Sequence, residues 1–387
     1  MASHATASPQ SAGPRVIFAG GGTGGHLYPA LNIAAAMRAL RPGLSTSFVG
    51  ARRGVEARVL PEKGVRHTLL PLEPIRRDRV WENWRLVPAL SRSAWGLSRL
   101  MLRERPSLVV GTGGYASGPA CGWALLVGVP IALQEQNSFP GLTTRWLSRF
   151  ARQVHLGFPE AARLIRPGSR TLVTDHGNPI QAPDTSLDRR EARRAFGLSP
   201  DATVLLVVGG SQGSRAVNQA MLGAIEAVAE ARAERPGDLE VLWATGPAHI
   251  DGIRERLVGH GVEGWVHPVG YIDAMPKALA SADVAVSRAG AMGTAELLAW
   301  GVPSILVPLP TAAADHQTHN ARALEEDGAA VALAESELTP GRLWENVCGL
   351  AGDPSRRSTM AERARARARP EAARRIAEDL LRIVEGG

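Results

Sequence analysis

A chain of 387 residues with 44% hydrophobic and 21% charged content has enough apolar material for two full domain cores. Its formal charge of +7, carried almost wholly by Arg, favours anionic partners without choosing among nucleotides, nucleic acid and acidic lipid. The two cysteines, Cys121 and Cys348, lie in different halves, which argues against a disulfide framework or a Cys-based zinc site and fits a reducing, cytoplasmic setting.

Residues 1–14, rich in Ala, Ser and Pro and without an apolar core of signal-peptide length, read as a disordered tail. The first structured stretch runs from Arg15 through Gly20-Gly21-Gly22-Thr23-Gly24-Gly25-His26 into an alanine-rich helical pattern. It reads as a buried parallel strand, a tight loop and a helix whose free N–H groups form an anion site. Strands follow at Ser45 to Val49 and Thr68 to Leu70, with a helix from near Val55 between them.

Residues 75–106 interleave eight arginines with Trp81, Trp84, Trp95 and several leucines. On a helix starting near Pro88, Leu90, Ala94, Leu97 and Met101 share one stripe while Arg92, Arg99 and Arg103 fall on another. A core-facing helix with a solvated Arg face accounts for this pattern as well as attachment to an anionic membrane surface does. The most apolar segment, Gly118 to Leu133, is broken by Pro119 and Pro130 and is shorter than the ~20 residues a spanning helix needs.

Another strand enters the glycine loop Gly113-Gly114, and Pro130 to Asn137 reads as a strand with a polar tip, where doubly wound sheets bind ligands. The polar stretch from Gly177 to Asp188 reads as a linker. The second half alternates again: a charged helix from Asp188 to Phe196, strands Val204 to Val208, Glu240 to Ala244, Val262 to Val266, Val284 to Ser287 and Ser304 to Val307. Helices are expected over Ala216 to Ala231, near Met275, over Thr294 to Ala299, from near Asp315, and over Met360 to Arg369 and Pro370 to Val384. This is an α/β chain of two parallel-sheet domains with glycine loops aimed at one cleft.

Gly20, Gly22 and Gly25 match G-x-G-x-x-G, but the tip of the second strand, Val49-Gly50-Ala51-Arg52, lacks the acid that holds a dinucleotide ribose. No Gly-Lys-Ser or Gly-Lys-Thr follows, which excludes a P-loop. Phosphate or sugar-hydroxyl binding remains. His316 and His319 have no partner ligands in the pattern, so no metal site is assigned. A departing diphosphate would be stabilised by backbone amides, helix dipoles and hydroxyls such as that of Ser211.

Taken in order, Gly21 to His26, Gly113 to Pro119, Glu135-Gln136-Asn137, Gly177-Asn178-Pro179, Gly209 to Ser214 and Arg288 to Glu296 resemble the MurG family of bacterial N-acetylglucosaminyltransferases, of glycosyltransferase family 28, from about Arg15 to the C-terminus. The resemblance implies a GT-B fold of two Rossmann-like domains, with 15–177 meeting acceptor and membrane, 178–369 holding UDP-GlcNAc and 370–387 returning to the first. It implies a hexosyltransferase that moves GlcNAc, with inversion and no metal or other cofactor, onto the C4 hydroxyl of a lipid-linked muramyl-pentapeptide (lipid I to lipid II) in peptidoglycan synthesis. Carried over by motif, Thr23, Gly24, Gly25 and Asn137 face the donor sugar and diphosphate, and Ser211 contacts the diphosphate. Ile272 offers its backbone to uracil. Ala291, Met292, Gly293, Thr294, Ala295 and Glu296 wrap the nucleotide, with Glu296 on the ribose. Gln317 binds GlcNAc hydroxyls with Asn320 nearby, Tyr115 lines the acceptor site, and His26 is the candidate base.

The chain departs from the family at Gln134, where a His is frequent, and at Gln181, where an Arg is common. The resemblance further implies a peripheral position on the cytoplasmic membrane face through residues 75–106, association with other cell-wall and division proteins, and no nucleic acid. A UDP-sugar 2-epimerase, a glycolipid-forming transferase and a non-catalytic nucleotide-sugar scaffold are the alternatives on the same fold.

Overall fold

The computed structural model describes residues 13–72 and 87–386; the expected tail up to residue 12, and Trp81 and Trp84 of the basic stretch, lie outside them. Short Val/Ile/Leu runs, buried on both faces, build two sheets. The first contains β1 (Arg15–Ala19), β2 (Ser45–Ala51), β3 (His67–Leu70), β4 (Leu108–Gly111), β5 (Ile131–Glu135), β6 (Gln153–Leu156) and β7 (Leu172–Thr174) in the order 3-2-1-4-5-6-7. The second contains β8 (Val204–Val208), β9 (Glu240–Ala244), β10 (Val266–Val269), β11 (Val284–Arg288), β12 (Ser304–Val307) and β13 (Val331–Ala332) in the order 10-9-8-11-12-13. Neighbouring strands pair in parallel, as in β1 with β2 and β8 with β11.

Helices α1 (Gly24–Leu40), α2 (Glu56–Glu62), α3 (Val87–Glu104), α4 (Gly114–Leu126) and α5 (Leu142–Leu147) belong to the first sheet. With the second go α6 (Arg189–Arg194), α7 (Arg215–Ala229), α8 (Ile250–Leu257), α9 (Met275–Ser281), α10 (Ala291–Trp300), α11 (His316–Glu326), α12 (Pro340–Ala351) and α13 (Pro354–Arg367). Strand order reverses between β1 and β4 in one sheet and between β8 and β11 in the other, the points where such sheets bind ligands. The four glycine loops follow these four strands.

Several elements differ from the sequence reading, and α5, α8 and β13 are additional to it. The strand expected over Val262 to Val266 runs instead over Val266–Val269, because Val262 to Trp265 closes a turn (Trp265 N to Val262 O, 3.0 Å). Pro268 inside β10 is tolerated because β10 is a sheet edge and its missing N–H costs no ladder bond. Helix α12 is absent from the sequence reading; Thr339 caps it (Arg342 N to Oγ1, 3.1 Å) and Leu343, Val347 and Leu350 form its buried stripe. The helix expected from Met360 begins at Pro354, where Asp353 accepts the Arg356 N–H at 2.9 Å. On α3, Leu97 and Met101 enter the core while Trp95 and Leu102 are exposed, so the helix is core-facing and also presents apolar side chains outward.

The last helix, α14 (Ala372–Gly386), crosses back to the first sheet and packs along α1. Ile376, Ala377, Leu380 and Leu381 join Val16, Phe18, Leu27 and Ile33 in one core cluster. Polar contacts fix its register: Gln153 Nε2 donates to Asp379 O at 2.9 Å, and His176 Nε2 lies 2.7 Å from Asp379 Oδ2. Because Ile376 is fully buried, Ile376→Ala should destabilise the first domain by about 3 kcal/mol in urea unfolding. A loss under about 0.5 kcal/mol would show that the helix does not share that core.

Candidate functional site

The cleft has two walls, each made of loops at the carboxyl ends of parallel strands. On the first wall, Gly22 takes φ +91°, which lets the β1–α1 loop turn and present the first turn of α1. Thr23 ends the loop as the N-cap of α1, and its Oγ1 lies 3.2 Å from His26 Nδ1. Gly24 and Gly25 begin the helix, where main-chain N–H groups have no intrahelical acceptors. The His26 carbonyl accepts the Thr112 hydroxyl at 2.8 Å, tying this turn to the β4 loop.

His26 is half-buried, and burial lowers its pKa below the usual imidazole value. Glu135, a hydrogen bond with the Gly21 backbone and Glu56 oppose the shift, while His316 of the other wall adds to it. A neutral ring keeps one nitrogen as a proton acceptor in either tautomer. The Tyr115 ring lies against Gly22, where a Cβ would strike it, and burial followed by the Glu56 charge raises its phenol pKa.

Across the cleft a cavity of about 620 Å³ is lined by Gly209, Gly213, Ser214, Arg215, Gln219, Ser287, Arg288, Gly290, Gly293, Gln317 and Glu335, with others. The N-termini of α7 and α10 open toward it, so amide dipoles and the Arg215 side chain favour an anion there. Arg288 is held by Glu335 (Nη1 to Oε2, 2.6 Å) and by the Val307 and Pro308 carbonyls. Gln317 accepts the Leu309 N–H through Oε1 at 3.0 Å. Just before it, Ala314 and Asp315 both hold left-handed φ values of 54° and 53°, a strained entry into α11.

Of the residues expected here, Gly293 and Gln317 line the cavity, whereas Ser211 stands exposed on the β8 loop outside the lining. The hydroxyl that lines it is that of Ser214, which also caps α7 through the Val217 N–H at 3.3 Å. Ile272 is buried in the second core. Ala291, Met292, Thr294, Ala295 and Glu296 sit in the first two turns of α10; Thr294 Oγ1 bonds back to the Gly290 carbonyl, and Ala295 faces a small crevice at the hinge. Asn137 and Asn320 come together across the cleft, Nδ2 of Asn320 to Oδ1 of Asn137 at 3.2 Å. Asn320 also takes the Ser138 N–H and hydroxyl at 2.9 and 3.0 Å and donates to the Ala289 carbonyl.

Below this contact, Asn178 donates to the Gln136 and Ala291 carbonyls and accepts from Gln134 Nε2. Gln134 is thus a buried link of an amide chain through the hinge, while Gln181 is exposed. Among the described residues the one His/Cys/Asp/Glu cluster with converging ligand atoms is His155, His176 and Asp379, at the hinge and not in the cleft. Both His155 nitrogens are already met by Thr174 Oγ1 and Gln153 Oε1. Sequence reasoning did not single out Arg215, Gln219, Glu335 or the buried Glu56; for Glu56 the signal was a carboxylate just beyond Gly50 and Gly54 at the second strand tip.

Residues 16–156 match the Glycosyltransferase family 28 N-terminal domain and residues 204–377 the Glycosyltransferase family 28 C-terminal domain. The chain is 42% identical over 380 residues to the UDP-N-acetylglucosamine–N-acetylmuramyl-(pentapeptide) pyrophosphoryl-undecaprenol N-acetylglucosamine transferase of Moorella thermoacetica, covering 96% of this chain and 100% of that one. A protein of the same name from Salinibacter ruber is 42% identical over 96% of this chain and 97% of its own. The crystal structure of Acinetobacter baumannii MurG superposes with a TM-score of 0.75 at 26% identity, over 96% of this chain and 99% of that one. A Listeria monocytogenes putative UDP-N-acetylglucosamine 2-epimerase has a TM-score of 0.68 at 16% identity and covers 97% of this chain and 98% of its own, a likeness of fold alone.

Glu296 offers a test of burial at the cleft. Burial raises its pKa from 4.5 to about 7, so the folded state holds a proton that the unfolded chain releases at lower pH. Its contribution is fully present below about pH 4.5 and is lost as pH rises toward 7, on the order of 3 kcal/mol in all. Glu296→Gln should therefore gain stability over the parent across that window in unfolding titrations. Parallel pH curves for the two proteins would place Glu296 in water.

Proposed function

The chain belongs to glycosyltransferase family 28, and we infer that it transfers N-acetylglucosamine from UDP-GlcNAc to the muramyl-pentapeptide pyrophosphoryl-undecaprenol acceptor. The relatives at about 40% identity carry that transferase name, while the epimerase reading has only a shared fold behind it. The observation that carries the chemistry is a neutral His26 on one wall facing an anion-favouring cavity on the other.

The donor lies in the cavity with its diphosphate at the N-termini of α7 and α10, near Ser211, Ser214 and Arg215. Glu296 takes the ribose hydroxyls, Ile272 meets uracil through its backbone, and Ala291 to Ala295 wrap the nucleotide. Gln317 holds the GlcNAc hydroxyls beside the Asn137–Asn320 pair. Thr23, Gly24 and Gly25 face the donor sugar and diphosphate from the first wall, and the acceptor enters over Tyr115. His26 takes the proton of the C4 hydroxyl as its oxygen bonds to the anomeric carbon and the carbon–oxygen bond to UDP breaks. The diphosphate leaves with the electron pair, and one displacement inverts the anomeric centre. Helix dipoles and Arg215 stabilise the departing charge, so the step requires no metal.

The lipid end of the acceptor calls for a membrane-facing surface. No helix among the described residues is long and apolar enough to cross a membrane. Helices α3, α4 and α5 pack side by side and expose Trp95, Leu102, Leu126 and Trp146, joined by Phe150 of the turn after α5, each more than 60% accessible. Arg99 lies over the Trp95 ring, and Arg149 and Arg152 are exposed beside Phe150. Apolar side chains flanked by guanidinium groups suit an anionic lipid surface, where the enzyme works beside other cell-wall and division proteins.

The direct test is transfer of radiolabelled GlcNAc to a short-chain lipid I analogue in EDTA, with UDP-GalNAc as control donor. Labelled product from UDP-GlcNAc alone is expected; no product despite UDP-GlcNAc binding by calorimetry would refute the acceptor. In the same assay His26→Ala should lower turnover by roughly 10²-fold or more with donor affinity kept, and near-normal turnover would move the base elsewhere. Replacing Trp95, Trp146 and Phe150 together by Ser should weaken binding to anionic vesicles roughly tenfold or more; unchanged partitioning would remove this face from the membrane.

A further inference from the structure

Where β1 and β2 part at the cleft, the ladder ends with a long contact, Gly20 N to Val49 O at 3.4 Å. The gap beyond is filled by one side chain. Glu56, the first residue of α2, is fully buried, and its two carboxylate oxygens reach opposite sides of the fork. Oε2 accepts the Gly22 N–H at 2.9 Å and Oε1 accepts the Ala51 N–H at 2.8 Å. A Cβ at Gly21, Gly50 or Gly54 would collide with this side chain, so three glycines clear its socket.

We propose that Glu56 is a positioning residue for the transfer reaction: its carboxylate takes the Gly22 N–H from beneath and thereby sets the loop that carries Thr23 and His26. This rests on the function proposed above. In a strand–loop–helix turn the free N–H groups ordinarily point outward toward the ligand. Here the Gly22 N–H points inward to Glu56, which leaves the first turn of α1 to face the cleft. Only an ionised carboxylate serves both sides of the fork, because both partners are donors and it is acceptor-only. A glutamine would accept one N–H and oppose its own amide hydrogens to the other. A buried charge-assisted pair of this kind holds its donors more tightly than neutral hydrogen bonds do.

Two variants separate position from charge. Glu56→Gln keeps shape and loses charge and one acceptor; Glu56→Asp keeps charge and draws it back by one methylene. If Glu56 positions the loop, both lower kcat roughly 10- to 100-fold, the scale of a small misplacement of reacting groups, while the KM for UDP-GlcNAc, set mainly by the cavity of the opposite wall, changes much less than kcat. The pH profile tells them apart. The groups acting on His26 are Glu135 and Glu56, which favour imidazolium, and His316 with burial, which disfavour it. Glu56→Gln therefore shifts the acid limb of kcat/KM to lower pH, and Glu56→Asp leaves it in place.

Wild-type kcat in Glu56→Gln, or equal losses of rate and donor affinity in both variants, would overturn the proposal. Hydrogen exchange at the Gly22 amide of the parent protein gives a readout free of variants and of substrate. Slow exchange from this exposed loop is expected and supports the carboxylate contact even if a variant fails to fold; exchange at the rate of an open loop would overturn it. Absence of transfer by the parent protein would refute the proposed function and with it a role for Glu56 in that reaction, whereas the Gly22 measurement would still decide whether Glu56 holds the loop.

Discussion

The cleft depends on two buried asparagines that bridge its halves. Asn178 and Asn320 are each almost wholly inaccessible, and every side-chain hydrogen bond they make reaches a carbonyl, amide or hydroxyl of another segment. A buried amide without partners costs on the order of 1–3 kcal/mol, so the two sheets are held where both amides are satisfied. That arrangement turns the carboxyl ends of both sheets toward each other. The glycine loops after β1, β4, β8 and β11 face one space for this reason, and α14, packed on α1, ties the end of the second half to the core of the first.

Within that space the walls divide the electrostatic work. The first wall carries two buried carboxylates beneath its loops, Glu56 and Glu135, each spent on main-chain N–H groups: Gly22 and Ala51 for one, Asn137 and Gly141 for the other. They fix backbone geometry and bias His26 toward basicity against the burial that lowers its pKa. The second wall offers helix N-termini and Arg215 to an anion. The inverting displacement proposed for the chain needs this division, a base on one side and anion stabilisation on the other. Glu296 sits between these regimes as a carboxylate whose burial keeps it near neutrality.

Much of the fold was legible because it is written locally. A run such as Val204 to Val208, closed by two glycines and followed by Ser214 and an alanine-rich helix, specifies strand, turn and cap within about a dozen residues. The sequence is ambiguous where local cues conflict: Pro268 conceals an edge strand, and α12 announces itself only through its Thr339-Pro340 start. The site was legible only as loops. Gly293 and Gln317 line the cavity, while on the β8 loop it is Ser214 and Arg215 that line it and Ser211 that stands outside, a matter of which way a few residues turn.

By itself the sequence determined two parallel-sheet halves, their glycine loops and the family, because strand runs, turn glycines and ordered motifs are short-range patterns. Only the tertiary structure decided which side chains meet. Asn137 and Asn320 are 183 positions apart and bond across the cleft, and the outward apolar face joins the basic, tryptophan-bearing α3 to side chains of α4, of α5 and of the turn after α5 that the sequence did not connect with it. Glu56 shows the reason most plainly. The absence of an acid at the second strand tip argued against a dinucleotide site, yet five residues beyond Ala51 a carboxylate turns back under the first loop. Its direction is set by the packing of α2 and the socket of three glycines, and no spacing rule carries that information.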